Sequence, residues 1–208
     1  MSRVQVRPTA KTRQRRRRRR ITTLITYAIV VFALAWYFDS QGTTTVIFVR
    51  HADVDRPFAM DDNTPLNEQG RMRAELLADK LEMVDVVAGP DAIYVDATKR
   101  TQQTAQALAK RLGIEPEIAD HDRVVAFMKT VLFEHKREIV VIVTQGEDIA
   151  PMVEELHGSK NIAEIAADDY EKLFIVTIPW WGKVKTLQDV YGLGMRVSGL
   201  FSSRTDSV

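Results

Sequence analysis

Residues 45–55 read TVIFVRHADVD, and this stretch decides the fold. Its first five residues are mostly β-branched and apolar, which predicts a short buried strand over Thr45–Val49. Arg50 and His51 follow directly, and a polar loop with four aspartates then extends to Pro65. Packing alone would favour apolar residues at the end of a buried strand, so the Arg-His pair marks this strand end as a candidate site.

The rest of the body alternates predicted helices with predicted strands. Helices are expected over residues 67–84, 98–112, 124–133 and 148–156, and further strands over 91–96, 138–144, 173–178 and 184–190. This alternation predicts an α/β fold, a three-layer α/β/α sandwich with a mostly parallel sheet.

Ligands of such sheets bind beyond the carboxyl ends of the strands. The segments to examine are therefore Arg50 to Ala52, Asp96 to Arg100 and Gln145 to Asp148, each of which follows a predicted strand. Arg100 falls in the first turn of a predicted helix, where a cation opposes the helix dipole. A phosphate contact explains that position better than a structural role, although a solvated arginine is the simpler alternative.

The net charge of +1 conceals two parts of opposite charge. Residues 1–20 hold ten basic residues and no acidic one, which leaves 19 basic and 28 acidic residues in the remainder. That asymmetry points to a partner or a membrane at the basic end. The content of 45% hydrophobic and 27% charged residues excludes wholesale disorder, and the absence of Cys excludes disulfides, thiol catalysis and Cys-based zinc sites.

Residues 21–38 read ITTLITYAIVVFALAWYF, without a charge, Pro or Gly. As a helix they would reach about 27 Å, close to the ~30 Å hydrocarbon core of a bilayer. Six arginines precede this run and Trp36, Tyr37 and Phe38 end it, which fits the positive-inside rule and an aromatic belt. The sequence thus predicts a signal anchor that crosses the membrane once.

The predicted topology has five parts. They are a basic cytoplasmic arm (1–20), the transmembrane helix (21–38), a linker (39–44), an extracytoplasmic domain (45–195), which would be periplasmic in a bacterium, and a tail (196–208).

Two alternatives to the anchor remain open. Ala33-Leu34-Ala35 has the form of a signal-peptide cleavage site, but the apolar run continues past it, and this length favours a retained anchor. The arginine run could bind nucleic acid, but its position beside an apolar segment favours a role in topology or in contact with anionic lipid. We therefore expect a membrane partner and no nucleic acid.

Four blocks of the body resemble the histidine phosphatase superfamily, also called phosphoglycerate-mutase-like. TVIFVRHADVD resembles its opening strand with Arg-His-Gly, in a variant branch that has Arg-His-Ala. TPLNEQGRMRAELLADKL resembles its PLTxxGxxxAxxLAxxL stretch, and DAIYVDATKRTQQTAQALAKRLGI its segment with a phosphate-binding Arg. IVVIVTQGEDIAPMVEEL resembles the strand and helix around its second catalytic His, and the likeness covers residues 44–192.

The resemblance implies a phosphohistidine mechanism on a phosphorylated small molecule or phosphoprotein. His51 would attack the phosphoryl group while Arg50 and Arg100 bind its oxygens. A carboxylic acid would protonate the leaving group, and water would then hydrolyse the phosphohistidine. The family chemistry needs no metal or organic cofactor, so none is expected.

One position departs from the family pattern. The second catalytic His falls on Gln145, which could donate a hydrogen bond to a phosphoryl oxygen but carries no charge. Losing one charged transition-state contact costs on the order of 3 kcal/mol, or about a hundredfold in rate. The chain is thus expected to be either a slow phosphohydrolase or a pseudophosphatase that binds phosphorylated ligands, with a mutase as a weaker third possibility.

Other site residues follow from their position. The general acid is expected at Glu147, with Asp148 and Asp53 as alternatives, and Arg56 is a further candidate contact for substrate. The remaining histidines, His121, His135 and His157, are interpreted as solvated side chains away from the site.

Overall fold

The computed structural model describes residues 10–39, 42–55, 61, 63–82, 89–120, 123–159, 162, 165 and 169–191. The chain divides into two compact units, Met1–Gly42 and Thr43–Val208. The first contains helix α1 (Ala10–Asp39). Within it, Arg18–Tyr37 is the one stretch of the described chain that is long and apolar enough to cross a membrane, a test that signal sequences also pass.

A six-stranded mixed sheet forms the centre of the second unit, in the order β3-β2-β4-β1-β5-β6. The strands are β1 (Thr44–Arg50), β2 (Ala92–Val95), β3 (Glu117–Ile118), β4 (Ile139–Thr144), β5 (Lys172–Ile178) and β6 (Lys185–Val190). The first four run parallel to one another, and β5 is antiparallel to both of its neighbours, β1 and β6. Arg50 pairs with Thr144 and Val95 pairs with Val143, so the carboxyl ends of β1, β2 and β4 meet at one edge.

Two helices cover each face of this sheet. Helices α2 (Glu68–Leu81) and α3 (Lys99–Leu112) lie on one face, and α4 (Val124–Glu134) and α5 (Gly146–Glu155) lie on the other. Because successive side chains of a strand point to opposite faces, Ile47 and Val49 join the first core while Val46 and Phe48 join the second. The apolar run of β1 serves both cores, and the predicted three-layer α/β fold is confirmed.

The helix boundaries follow local chemistry. Asn67 caps α2, since its side-chain oxygen accepts a hydrogen bond of 2.7 Å from the N–H of Gly70. Gly113 ends α3 in the left-handed conformation, with φ of 68°. Thr98 precedes α3 but makes no side-chain cap, because its hydroxyl instead donates to the carboxylate of Asp96.

Some predicted boundaries were wrong. Helix α5 begins at Gly146 rather than at Asp148, and the two-residue strand β3 was not predicted. The predicted linker is too long, because Asp39 still belongs to α1 and Thr44 already belongs to β1. The predicted helix end at residue 84 and the tail 196–208 lie outside the described residues.

Candidate active site

His51 lies directly after β1 and is fully buried. Its Nδ1 lies 2.9 Å from the carbonyl oxygen of Ala52. A carbonyl can only accept, so Nδ1 carries the proton and Nε2 keeps its lone pair. Within the described residues, Nε2 has no hydrogen-bond partner. A buried neutral imidazole with one uncommitted nitrogen has the form of a nucleophile.

The surroundings of His51 keep it neutral. Burial lowers its pKa from 6.5 to about 4, opposed by the bond to Ala52 and assisted by the positive charges of Arg50 and Arg100. At neutral pH the ring is therefore an unprotonated base beside two cations, which suits attack on an anionic phosphoryl group.

Backbone contacts hold the segment around His51 in place. The N–H of His51 donates to the carbonyl of Thr144 on the neighbouring strand, at 3.1 Å. The N–H of Ala52 donates to the hydroxyl of Thr104 at 2.9 Å, and that hydroxyl donates to the carbonyl of Arg100. The loop after β1 is thus tied to the helix that carries the second arginine.

Arg50 is packed between the chain segments that surround it. Its Nη1 donates to the carbonyl of Asp169 at 3.3 Å, and its guanidinium carbon lies 4.6 Å from the ring centre of Tyr170. The Tyr170 ring is also 5.7 Å from that of His51. A Cβ at Gly146 would lie 3.3 Å from the Arg50 side chain, so the glycine leaves room for the guanidinium at the start of α5.

Gln145 connects Arg100 to the partly buried carboxylate of Asp96. Its Oε1 accepts from Nε of Arg100 at 3.1 Å, and its Nε2 donates to Oδ2 of Asp96. The amide orientation is fixed by chemistry, because a carboxylate cannot donate and a guanidinium cannot accept. Both ends of the amide are occupied, so donation to a phosphoryl oxygen, as the sequence suggested, would require rearrangement of this link.

Asp96 organises the start of α3. Burial alone would raise its pKa, but hydrogen bonds from Thr101, Thr98 and Gln145 outweigh burial and hold the pKa below its ordinary value. Asp96 is therefore an anion at neutral pH, and Gln145 transmits its influence to Arg100. Arg100 also donates through Nη1 to the carbonyl of Asp61 at 2.8 Å, so the loop after His51 reaches the same guanidinium.

The candidate carboxylic acids have different surroundings. Asp53 is buried in an ion pair with Arg73, which also contacts Glu171 at 3.1 Å, and this network braces the loop after His51. Asp148 accepts from the hydroxyl of Thr144 at 3.1 Å. Glu147 is exposed in the first turn of α5.

Four predicted residues remain, and the structure describes two of them. Arg56 and His121 are outside the described residues. His157 is exposed at the end of α5. His135 was wrongly interpreted as solvated: its Nδ1 lies 2.7 Å from Glu138 and its Nε2 lies 2.8 Å from the hydroxyl of Tyr94. The described part of the chain holds no cluster of three or more potential metal ligands.

Residues 46–122 match the model of the histidine phosphatase superfamily, branch 1. The matched range contains Arg50, His51 and Arg100 and stops before Gln145. This stretch, somewhat more than a third of the chain, is similar to the histidine phosphatase superfamily. No curated protein sequence matches it.

Solved histidine phosphatase structures share the fold. The protein histidine phosphatase SixA in complex with tungstate superposes with a TM-score of 0.56 at 19% identity, covering 70% of this chain and 96% of SixA. A candidate phosphohistidine phosphatase SixA from Agrobacterium tumefaciens gives 0.53 at 24% identity, covering 69% and 97%. A mycobacterial glucosyl-3-phosphoglycerate phosphatase with inorganic phosphate gives 0.51 at 16%, covering 71% and 96%. At these identities the likeness establishes the fold alone.

Three contributors to the site were missed by sequence reasoning. Asp96 lies in one of the segments that follow a predicted strand, but nothing in the sequence indicates its hydrogen bond with Gln145, 49 positions away. Arg73 belongs to a quoted block and Tyr170 precedes a predicted strand, but neither was given a role. Two signals were available in the sequence. Tyr170 is an aromatic residue two positions before a closing strand, and Arg73 is an arginine on an apolar helix face.

Proposed function

We propose that this protein is a membrane-anchored phosphohydrolase that acts on phosphate monoesters or phosphohistidine through a phospho-His51 intermediate. One observation carries the proposal: a buried neutral imidazole whose Nε2 is uncommitted lies beside two buried arginines at the carboxyl edge of the sheet. Each part of this arrangement has a role in phosphoryl transfer.

The arginines bind and neutralise the substrate. Arg50 and Arg100 are both more than nine-tenths buried, which strengthens their attraction for a phosphoryl group because little water screens it. Gln145 acts on this step indirectly. Its side-chain oxygen holds Nε of Arg100 in position, and its amide lies between Arg100 and Asp96, which keeps the negative charge of Asp96 away from the phosphoryl oxygens. Gln145 is then a positioning residue.

His51 acts in two steps. Its Nε2 forms a bond to phosphorus as the bond to the leaving oxygen breaks, while Nδ1–H keeps its bond to the Ala52 carbonyl. Glu147 donates a proton to the leaving group and then accepts one from the water that hydrolyses the phosphohistidine. The ring returns to its neutral form and inorganic phosphate is released.

The solved relatives suggest two candidate substrate classes, and the charge of the chain restricts them. The solved relatives named above include protein histidine phosphatases and a sugar-phosphate phosphatase, and we extend both classes to this chain as candidates. The acidic body outside residues 1–20 disfavours highly anionic substrates at distances of about a Debye length.

The apolar stretch Arg18–Tyr37 supports the membrane anchor, with the arginine-rich end in the cytoplasm and the phosphatase domain on the other side. Its length and composition resemble a retained span more than a cleaved signal peptide.

Gln145 favours a second candidate function, that of a pseudophosphatase that binds phosphorylated ligands without turnover. An uncharged amide gives the transition state less stabilisation than a protonated imidazole. The same two arginines would then serve as a phosphate receptor.

Activity of the His51→Ala variant tests the proposal. We expect the full chain in detergent to release phosphate from an aryl phosphate or a phosphohistidine peptide, and His51→Ala to abolish that release. His135→Ala is the matched control, because His135 contacts Tyr94 and Glu138 away from the site, and it should retain activity. Turnover that survives in His51→Ala would contradict the proposed mechanism, and binding without turnover in the parent chain would favour the pseudophosphatase.

A further inference from the structure

Two adjacent tryptophans are open to solvent in the turn between β5 and β6. Trp180 is 65% exposed and Trp181 is 88% exposed, and Phe133 at the end of α4 is 74% exposed. We call these three residues the aromatic edge. Among the described residues of the second unit, they are the large aromatic side chains that the fold leaves exposed. Exposed aromatic rings in a group mark an interaction surface.

The aromatic edge lies where β1 begins. Thr44 pairs with Ile178, so the turn after β5 starts beside the first residue of β1. The hydroxyl of Thr44 also accepts a 2.9 Å hydrogen bond from the N–H of Arg137, which follows α4. The candidate active site lies at the opposite end of β1, about 20 Å away at the rise of a β-strand.

Lysines accompany the exposed rings. Lys183 and Lys185 follow the tryptophans and are exposed. Nζ of Lys136 lies 5.0 Å from the ring centre of Phe133. Tryptophan with nearby lysine is a combination typical of membrane–water interfaces. The rings lie at the level of the lipid headgroups while the ammonium groups stay hydrated.

The length of the chain limits how far this edge can be from the proposed anchor. Residues 40–43 separate the last residue of α1, Asp39, from the first residue of β1, Thr44. The five steps from Asp39 to Thr44 span at most about 18 Å. This short connection joins the proposed anchor to the end of β1 that carries the aromatic edge, whereas the active-site end of β1 begins about 20 Å further along the sheet.

We propose that the aromatic edge rests in the headgroup region of the bilayer that anchors the chain. This orientation directs the carboxyl edge of the sheet, with His51, away from the lipid and toward soluble substrate. The proposal rests on the membrane anchor and is independent of the phosphatase chemistry.

The sequence provides a direct spectroscopic test, because it contains only three tryptophans, Trp36, Trp180 and Trp181. The full chain with Trp36→Phe is placed in nanodiscs of equal parts phosphatidylcholine and phosphatidylglycerol, with acyl chains brominated near the headgroups. We expect the tryptophan emission to be blue-shifted and to lose most of its intensity relative to unbrominated discs. Emission unaffected by bromine would overturn the proposal.

A matched reporter at the opposite edge provides the control. Met72 is half-exposed in the first turns of α2, which begins at the active-site edge. A chain whose only tryptophan is Met72→Trp should remain unquenched by brominated lipid. Quenching at both positions would overturn the proposed orientation, and a blue shift at the aromatic edge without bromine quenching would indicate a second copy of the chain in place of lipid.

Two further measurements distinguish failure of this inference from failure of the proposed membrane anchor or of the proposed phosphatase activity. Carbonate extraction should leave the full chain in the membrane pellet, and a soluble form that starts near Trp36 would remove both the anchor and this proposal. Trp180→Ser with Trp181→Ser should leave phosphatase activity unchanged, because these residues lie at the end of the sheet away from His51.

Discussion

Burial controls the protonation of His51. Unfolded histidine takes up a proton near pH 6.5, whereas burial delays protonation of folded His51 to about pH 4. The unfolded chain therefore binds more protons in this interval, and folding stability falls as the pH drops from about 6.5 to about 4. Below that range the loss is on the order of 3 kcal/mol and no longer grows.

The titration of His51 can be followed by nitrogen-edited NMR of the imidazole. We expect a neutral Nδ1–H tautomer at pH 7 and a protonation midpoint near pH 4. The signal is assigned by its absence in His51→Asn, a variant whose stability should also depend less on pH between 6.5 and 4. A midpoint between 6 and 7, or an Nε2–H tautomer, would contradict the arrangement described.

Under the proposed function, Gln145 is the residue expected to limit activity. Gln145→His would place an ionisable ring beside the Asp96 carboxylate, and kcat/KM should rise by up to about a hundredfold. Gln145→Leu should lower kcat/KM, because Nε of Arg100 loses the acceptor that orients it. Gln106→His, at an exposed position of α3, is the matched control and should change nothing.

Steady-state kinetics on an aryl phosphate measures all three variants. A Gln145→Leu enzyme as active as the parent would mean that Arg100 needs no orienting partner. No gain from Gln145→His would mean that the site has lost more than the charge of one imidazole.

At the scale of elements, the close contact between α2 and the loop after β1 explains a glycine in the quoted motif. A Cβ at Gly70 would lie 2.2 Å from the carbonyl oxygen of Asp53, and backbone atoms cannot yield as a flexible side chain can. Asn67 donates its N–H to the same oxygen at 3.1 Å. Helix α2 thus sits directly on the segment that carries the nucleophile.

Substitution of this glycine should therefore be costly. Gly70→Ala is expected to destabilise the domain by about 1–3 kcal/mol, or roughly 2–12 °C in Tm, and to lower activity by displacing the loop after His51. Gln69→Ala, at the exposed preceding position, should leave Tm within about 2 °C. Thermal unfolding in detergent measures both, and equal Tm values for the two variants would contradict the close contact.

Periodicity and turn chemistry predicted most elements because the residues responsible are local. The apolar run of β1, the cap at Asn67 and the glycine at 113 each act within a few positions. Strand β3 was missed because two exposed residues carry no pattern. The antiparallel direction of β5 was not read, because strand direction depends on pairing with a distant segment.

The candidate site was likewise predictable from the sequence only in part. Arg50, His51, Arg100 and Gln145 could be predicted because parallel strands bring their carboxyl ends to one edge. The link from Asp96 through Gln145 to Arg100 could not, since it depends on side-chain directions across two neighbouring strands. Tyr170 reaches Arg50 because β5 runs antiparallel to β1 and begins beside the carboxyl end of β1, a pairing that no local pattern indicates.

At the scale of the whole molecule, the near-zero net charge is the sum of a basic amino-terminal stretch and an acidic remainder. The first is expected to set membrane topology, and the second surrounds a small cationic site formed by Arg50 and Arg100. Overall charge therefore gives no information on the phosphoryl site, whose field is local and buried.

The central claim is that the chain transfers a phosphoryl group to His51. In the most direct measurement, the full chain is mixed with an isotopically labelled phosphate monoester or phosphohistidine peptide and the reaction is stopped rapidly without acid. The chain is then digested and its peptides are mapped under alkaline conditions, which preserve phosphohistidine. The account predicts label on the peptide that contains His51, on Nε2 of the ring, and none in His51→Ala. Phosphate release without labelled His51, or label that persists in His51→Ala, would contradict it.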